Sequence, residues 1–352
     1  MNPPALRILC FCLCSLLCTP AIAQDAVAPL PELPTLPKND EPVRTQADED
    51  DKGIFSFVFE NDIVSGTDHG YTNGFRAAWL SSEKNNPDWL NDAANFLPLD
   101  TGGNKRVSVA LGQSIFTPDN LQLNPPDPND RPYAGWLYTS LGVVSDTGKT
   151  LDNVQLTVGV VGPSSGAEHT QKFVHRLIND EQPRGWDSQL KDEPGIMLTY
   201  ERKWRGLYEA EAFGLGADVV PHVGANFGNI NTSAAIGTTL RLGYDLPADY
   251  GPPRIRPSLP GSDFFIPTKE LSGYLFTTVE GRAVARDIFL DGNTFRDSPS
   301  VDKENLVGSL QIGAAITYGD ARLSYTQVFM TKQYKTEAQP DQFGSLALSY
   351  RF

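Results

Sequence analysis

The feature that most constrains this chain is a period of two. Val154, Leu156, Val158 and Val160 alternate with Gln155, Thr157 and Gly159. Leu306, Leu310, Ile312, Ala314, Ile316 and Tyr318 are interleaved with Ser309, Gln311, Gly313 and Thr317, and the chain ends Leu346-Ala-Leu348-Ser-Tyr350-Arg-Phe352. Successive strand side chains point to opposite faces, so these runs specify strands with one apolar face and one small or polar face. No segment offers 18 consecutive apolar residues, which excludes a transmembrane helix. About twelve strands are expected, near 54–61, 71–80, 106–116, 133–145, 151–162, 194–204, 208–227, 232–246, 272–287, 304–319, 321–331 and 343–352; an even count suits a bacterial membrane barrel. The fold class expected is all-β: a transmembrane antiparallel β-barrel with short loop helices.

The N-terminus places the chain in an export pathway. Arg7 precedes an apolar run from Ile8 to Leu17, and Ala21-Ile22-Ala23 is a small-x-small cleavage site. Residues 1–23 read as a signal peptide, residues 24–52 as a disordered acidic and proline-rich leader, and residues 53–352 as the barrel domain. All 4 cysteines, Cys10, Cys12, Cys14 and Cys18, fall inside the signal. The barrel therefore has no thiol for a disulfide, a cysteine metal site or a cysteine nucleophile. A net charge of −14 argues against a nucleic-acid partner.

With the N-terminus periplasmic, tight-turn sequences at 146–149, 205–206 and 319–320 fall on the periplasmic side. Residues 82–105 and 247–271 are then long periplasmic segments, the first holding a short amphipathic helix. The connections after strands 1, 3 and 5 are extracellular. Phe55, Phe57 and Phe59 are assigned to lipid, so Glu60 and Asp62 point inward, with Thr72, Gly74 and Arg76 from the next strand. Asp62 and Thr72 would then meet at the mouth of the barrel, where carboxylate, carboxamide and hydroxyl oxygens are the hard ligands that Ca²⁺ takes. Asn73-Gly74 reads equally well as a turn.

In the fifth connection, Phe173, Val174, Leu177 and Ile178 give a helical apolar stripe, and Ser165 with Glu168 a capping box, predicting a helix at 166–179. Gln171 and His175 share a face of it. A neutral histidine near carboxylates can serve as a general base. There is no Gly-x-Ser-x-Gly elbow, so activated water is the better nucleophile.

Taken together, Glu60-Asn-Asp62, Tyr71-Thr-Asn-Gly74, Asp130-Arg-Pro-Tyr133, Gly162-Pro163, Gln171-x-x-x-His175-Arg176, Glu181 and Trp186 resemble the outer-membrane lipid A 3′-O-deacylase family over about 55–352. The resemblance implies a twelve-stranded outer-membrane barrel whose site faces the extracellular side. It implies Ca²⁺-dependent ester hydrolysis that removes the 3′-linked acyloxyacyl group from lipid A, so the partner is lipopolysaccharide of the outer leaflet. Carried over by position, His175 is the catalytic histidine, Asn61 and Asp62 the essential pair, and Thr72 and Gln171 further site residues. Asp62 and Glu181 are the metal candidates. The strand phase places Asn61 on the lipid side, which fits a site role only if the strand bulges or ends there. Residues 117–129 carry no basic residue where a member of the family has a lysine able to meet a lipid phosphate, which leaves three alternatives: Arg131 as the substrate candidate, a metal in that role, or a different substrate. Two other readings fit the pattern: a porin or structural barrel, and a soluble β-sandwich.

Overall fold

The computed structural model describes residues 51–61, 70–84, 86–87, 89–100, 102–255 and 262–352. The signal peptide, nearly all of the leader, Asp62 and His69 lie outside the described residues.

The chain runs through β1 (Ile54–Asn61), β2 (Gly70–Leu80), helix α1 (Trp89–Asn95), β3 (Asn104–Thr117), β4 (Ala134–Asp146), β5 (Thr150–Val161) and helix α2 (Ala167–Ile178). It continues through β6 (Glu193–Trp204), β7 (Glu209–Ala212), β8 (Leu215–Gly228), β9 (Asn231–Tyr244), β10 (Ala248–Asp249) and β11 (Phe265–Ile266). β12 (Leu271–Asp287), the turn of helix α3 (Ile288–Asp291), β13 (Leu306–Tyr318), β14 (Ala321–Met330) and β15 (Gln342–Arg351) complete it. Every strand pairing is antiparallel, β1 pairs with β15, and β6 pairs with β8, closing a 12-strand barrel of β1–β6, β8, β9 and β12–β15. Closure leaves the barrel strands without open edges. Gly53 and Phe352 exchange two backbone hydrogen bonds of 3.0 Å, so the chain enters and leaves at one end.

Alternation sets the two faces as expected. Phe55, Phe57, Phe59, Trp79, Leu111, Leu141, Leu156, Ile236, Leu275 and Leu348 are exposed on the outside, while Ser56, Ser140, Thr157, Gln311 and Ser349 are buried inside. So continuous an apolar exterior is stable only in a non-aqueous medium, as on a membrane barrel. It leaves no room for the β-sandwich reading.

The two long connections at the chain-terminus end differ from simple loops. Leu90 and Ala94 of α1 and Leu99 after it bury against Val107, Val143 and Val154, which lie on the outward faces of β3, β4 and β5. Around Tyr250, Ile255, Phe264 and Phe265 the chain turns into the lumen instead of projecting from it. Tyr250, Phe264 and Phe265 pack on the inward-facing Ile54, Leu80, Val144, Leu151 and Val220, and Ile255 joins Val58 and Ala347 further along. Polar anchors fix this plug: Arg76 holds Asp263 at 2.7 Å, Arg254 meets Glu280 at 3.3 Å, and the backbone N–H of Ile255 donates to Glu60 at 3.2 Å. Asp249 is fully buried, accepts from Tyr274 Oη at 2.8 Å and Arg322 at 3.1 Å, and also pairs with Arg241. The inward face is polar because it must meet these charges. The expected strand at 208–227 is also two strands: β7 and β8 form a hairpin turned at Phe213-Gly214, both with positive φ.

Removing one partner of a buried ion-pair cluster leaves the others uncompensated, at about 3–5 kcal/mol. Asp249→Ala is therefore expected to lower the temperature at which the barrel loses its folded electrophoretic migration. It is also expected to carry more ion current across a planar bilayer than the wild-type barrel. Unchanged thermal behaviour and conductance would show that Asp249 does not hold the plug.

Candidate active site on the outward wall

The candidate site forms at the end opposite the termini, on the outside of the wall. A cross-strand row there reads Asn61, Asn73, Ile115 and Gly135 across β1 to β4. All four sit in the outward register, in phase with Phe59, Phe75, Leu111 and Leu137. Asn61 and Asn73 are nonetheless buried, as are Gln113 and Thr117 in the same phase on β3. Polar residues in an apolar register, all shielded, mark a place where something other than lipid covers the barrel.

A bulge between Tyr71 and Asn73 adds Thr72 to β2. Such an extra residue re-aims a side chain at the edge of a sheet. The Thr72 hydroxyl contacts that of Thr117 at 2.5 Å, on the outward side, while Tyr71 packs inward on Phe116 and Phe343. The expectation that Thr72 faces the lumen is corrected by this bulge. Asn61 Nδ2 donates to the Thr72 carbonyl at 3.1 Å and holds the bulge in place. The outward phase of Asn61, which looked like a conflict, is the phase of the site.

The cover is α2. Its buried side chains are Ala167, Gln171 and His175, spaced four apart on one face. The apolar stripe is turned the other way: Phe173, Leu177 and Ile178 are 54 %, 69 % and 48 % exposed. The helix is therefore inside-out relative to one on a soluble protein, with its polar face on the barrel and its apolar face outward. Gly166, in the left-handed region, caps its N-terminus without any side-chain bond, so the capping box from Ser165 does not form. Gly135 makes the close approach possible, since a Cβ there would lie 2.1 Å from Ala167 Cβ and 2.3 Å from Ser165 Oγ. From the wall, Gln113 Nε2 donates to the Ser165 carbonyl at 2.6 Å.

His175 is 1 % exposed, and its Nδ1 lies 2.6 Å from the backbone carbonyl of Glu181. A carbonyl only accepts, so Nδ1 carries a proton, and the tautomer this selects has its lone pair on Nε2. Asn179 in the left-handed conformation ends the helix and folds the chain back, bringing the Glu181 carbonyl to the ring. Gln171 Oε1 accepts from the Trp186 indole at 2.7 Å, and Trp186 packs on Tyr133 with ring centroids 5.0 Å apart.

The remaining candidates are placed differently. The Glu181 side chain is exposed, and its contact with His175 runs through the main chain. Among the described residues no group of three His, Cys, Asp or Glu could hold a metal ion; Asp62 is outside them. Arg131 is buried between the rings of Phe116 and Tyr334 and pairs with Asp341 at 3.5 Å. Phe116 faces the lumen, so Arg131 lies on the inner side of the wall, away from α2. Burial opposes its charge, but Asp341, Tyr334, Glu337 and Asp287 outweigh that and hold its pKa above the ordinary value. Asp130 ties loops together, accepting from Tyr334 Oη at 2.6 Å and from the Asp119 N–H at 2.7 Å.

Asn73, Gln113, Thr117 and Gly135 were not singled out as site residues from the sequence. The signal was present: amides and a hydroxyl recurring in the lipid-facing phase of strands, near one end.

A closed 12-strand antiparallel barrel with an apolar exterior and no membrane-spanning helix among the described residues is the architecture of an outer-membrane protein. A family model described as outer membrane protein LpxR matches residues 9–352. The chain belongs to the LpxR family, the lipid A 3′-O-deacylases of the bacterial outer membrane that its motifs resemble. LpxR from Salmonella typhimurium superposes with a TM-score of 0.68 at 20 % identity, covering 85 % of this chain and 100 % of that one. The β domain of the Bordetella autotransporter BrkA gives 0.42 at 9 % identity, with 86 % and 99 % covered. The KdgM porin gives 0.34 at 7 %, with 85 % and 99 % covered. No curated protein matches.

Proposed function

We propose that this protein hydrolyses the ester that links the 3′ acyloxyacyl group to lipid A, with His175 as general base and the site on the extracellular side. The carrying observation is His175 itself: a buried imidazole on the wall-facing side of α2, its Nδ1 proton committed to a carbonyl, which leaves Nε2 as the atom that can act on water. Termini of bacterial barrels lie in the periplasm and the longer loops outside. By that rule the α2 end would lie in the leaflet where lipid A resides.

The length of α2 is compatible with one site rather than two. Ala167 sits over Gly135 on β4 and Ile115 on β3. The helix rises about 12 Å over the eight residues to His175. The row from Gly135 to Asn61 spans about three strand spacings, roughly 14 Å. A helix laid along that row carries His175 toward Asn61 and Thr72.

In the proposed reaction, Nε2 takes a proton from water as its oxygen adds to the ester carbonyl. The tetrahedral adduct then breaks its bond to the sugar oxygen, and Nε2–H returns the proton to that oxygen. The products are a free acyloxyacyl acid and a 3′-hydroxyl. Gln171, fixed by Trp186, and Thr72, fixed by Asn61, border the reacting group. Ca²⁺ held by Asp62 and Glu181 would supply charge stabilisation to the oxyanion. Hard carboxylate and amide oxygens suit it, and the Glu181 main chain already sits against His175.

The test is mass spectrometry of lipid A from cells with and without the protein. Loss of one acyloxyacyl group from the 3′ position is expected; an unchanged acylation pattern would overturn the reading. With purified protein, a chelator is expected to reduce release to background and added Ca²⁺ to restore it. Undiminished turnover in chelator would remove the metal from the mechanism.

A further inference from the structure

Two side chains of the wall are not used by that chemistry. Asn73 and Gln113 are each 4 % exposed, in the outward phase of neighbouring strands β2 and β3. Asn73 lies opposite Ile115 and Gln113 opposite Phe75, so the two amides form a diagonal pair. Gln113 Nε2 donates to the Ser165 carbonyl at the start of α2, which fixes the orientation of its amide. Among the described residues its Oε1 has no partner, and neither has Asn73 Nδ2. Buried polar atoms are nearly always paired, and each exception asks for an explanation. Here the exceptions are one donor and one acceptor on neighbouring strands, close to where the chain enters α2.

We propose that Asn73 and Gln113 form a subsite for a secondary amide, the N-linked acyl group on the sugar carbon next to the scissile ester. Asn73 Nδ2 donates to the amide carbonyl, and Gln113 Oε1 accepts from the amide N–H. Diagonal strand neighbours stand roughly 7–8 Å apart at the backbone, so one amide can be reached by both side chains. A hydroxyl, which offers both functions on one oxygen, needs a closer pair. The inference rests on the deacylase reading and deepens it. The amide holds the sugar, and the ester on the adjacent carbon is thereby presented to His175. A site built to pair both groups of an amide discriminates against an ester in its place, because the Gln113 acceptor is then left unpaired.

The experiment compares two substrates in mixed vesicles: a disaccharide lipid with the neighbouring acyl chain amide-linked, and the same lipid with that chain ester-linked. The wild-type barrel is expected to favour the amide at least about tenfold in kcat/KM. Asn73→Asp, which swaps the donor for an acceptor at the same size, and Gln113→Leu, which removes the acceptor, are expected to bring the ratio close to one. A ratio measured on one preparation does not depend on the folded fraction. The subsite is overturned if either variant keeps the wild-type ratio, or if the wild type turns over both substrates equally. Release from neither substrate by the wild type would instead reject the deacylase reading, and the subsite with it.

Discussion

His175→Ala is expected to give a folded barrel that releases acyl groups about 10²–10⁴ times more slowly than wild type. The imidazole is the one buried base that α2 presents to the wall, and its Nδ1 bond to the Glu181 carbonyl sets the tautomer. Alanine favours the helix and leaves that carbonyl on a loop where Glu181 is exposed, so the barrel has no reason to unfold. His175→Gln separates the two jobs of the ring, since glutamine can still donate to the carbonyl yet has no basic nitrogen. Both variants should lose activity alike while keeping the heat-dependent electrophoretic shift of a folded barrel. Full turnover in either would end the general-base assignment.

The second large effect concerns a residue with no functional group. Gly135→Ala is expected to lower activity by about 100-fold, the loss that a displacement of about 1 Å can cause in a positioned active site. The added methyl would stand 2.1 Å from Ala167 Cβ and 2.3 Å from Ser165 Oγ, atoms too near the backbone to swing away. α2 must therefore lift, taking Gln171 and His175 with it. The strand itself tolerates alanine, and the folded shift should persist. Gly281→Ala is the control, because a Cβ at Gly281 meets nothing within 4 Å. Equal activity in the two glycine variants would show that α2 does not need its close seat.

The barrel was legible in the sequence because alternation is a local property. The strand count, the α2 span and the tight turns at 147–149 and 319–320 all follow from neighbours within a few residues. The site's face was not legible, and the reason is specific. Phase assigned Asn61 to the outward face correctly, but the bulge at Thr72 is a relation between β2 and β3 that one strand's pattern cannot contain. The stripe of Phe173, Leu177 and Ile178 was sound as periodicity. Its direction reversed because the medium around the barrel is apolar, so the helix buries its polar side. The plug was missed because residues 245–270 carry irregular polar and proline-rich sequence, whose partners Arg76, Arg241, Glu280 and Arg322 are distant in the chain.

The reversed face of α2 has a kinetic consequence. A substrate that reaches His175 from beside the helix does so by sliding within its own leaflet, never passing through water. The encounter is then two-dimensional, and the quantity that governs its frequency is the mole fraction of substrate among neighbouring lipids. Diluting the membrane with inert lipid should slow the reaction, whereas adding more membrane of the same composition should not speed each molecule already embedded. Packing order in the leaflet, set by divalent ions and temperature, then becomes part of the enzyme's rate law.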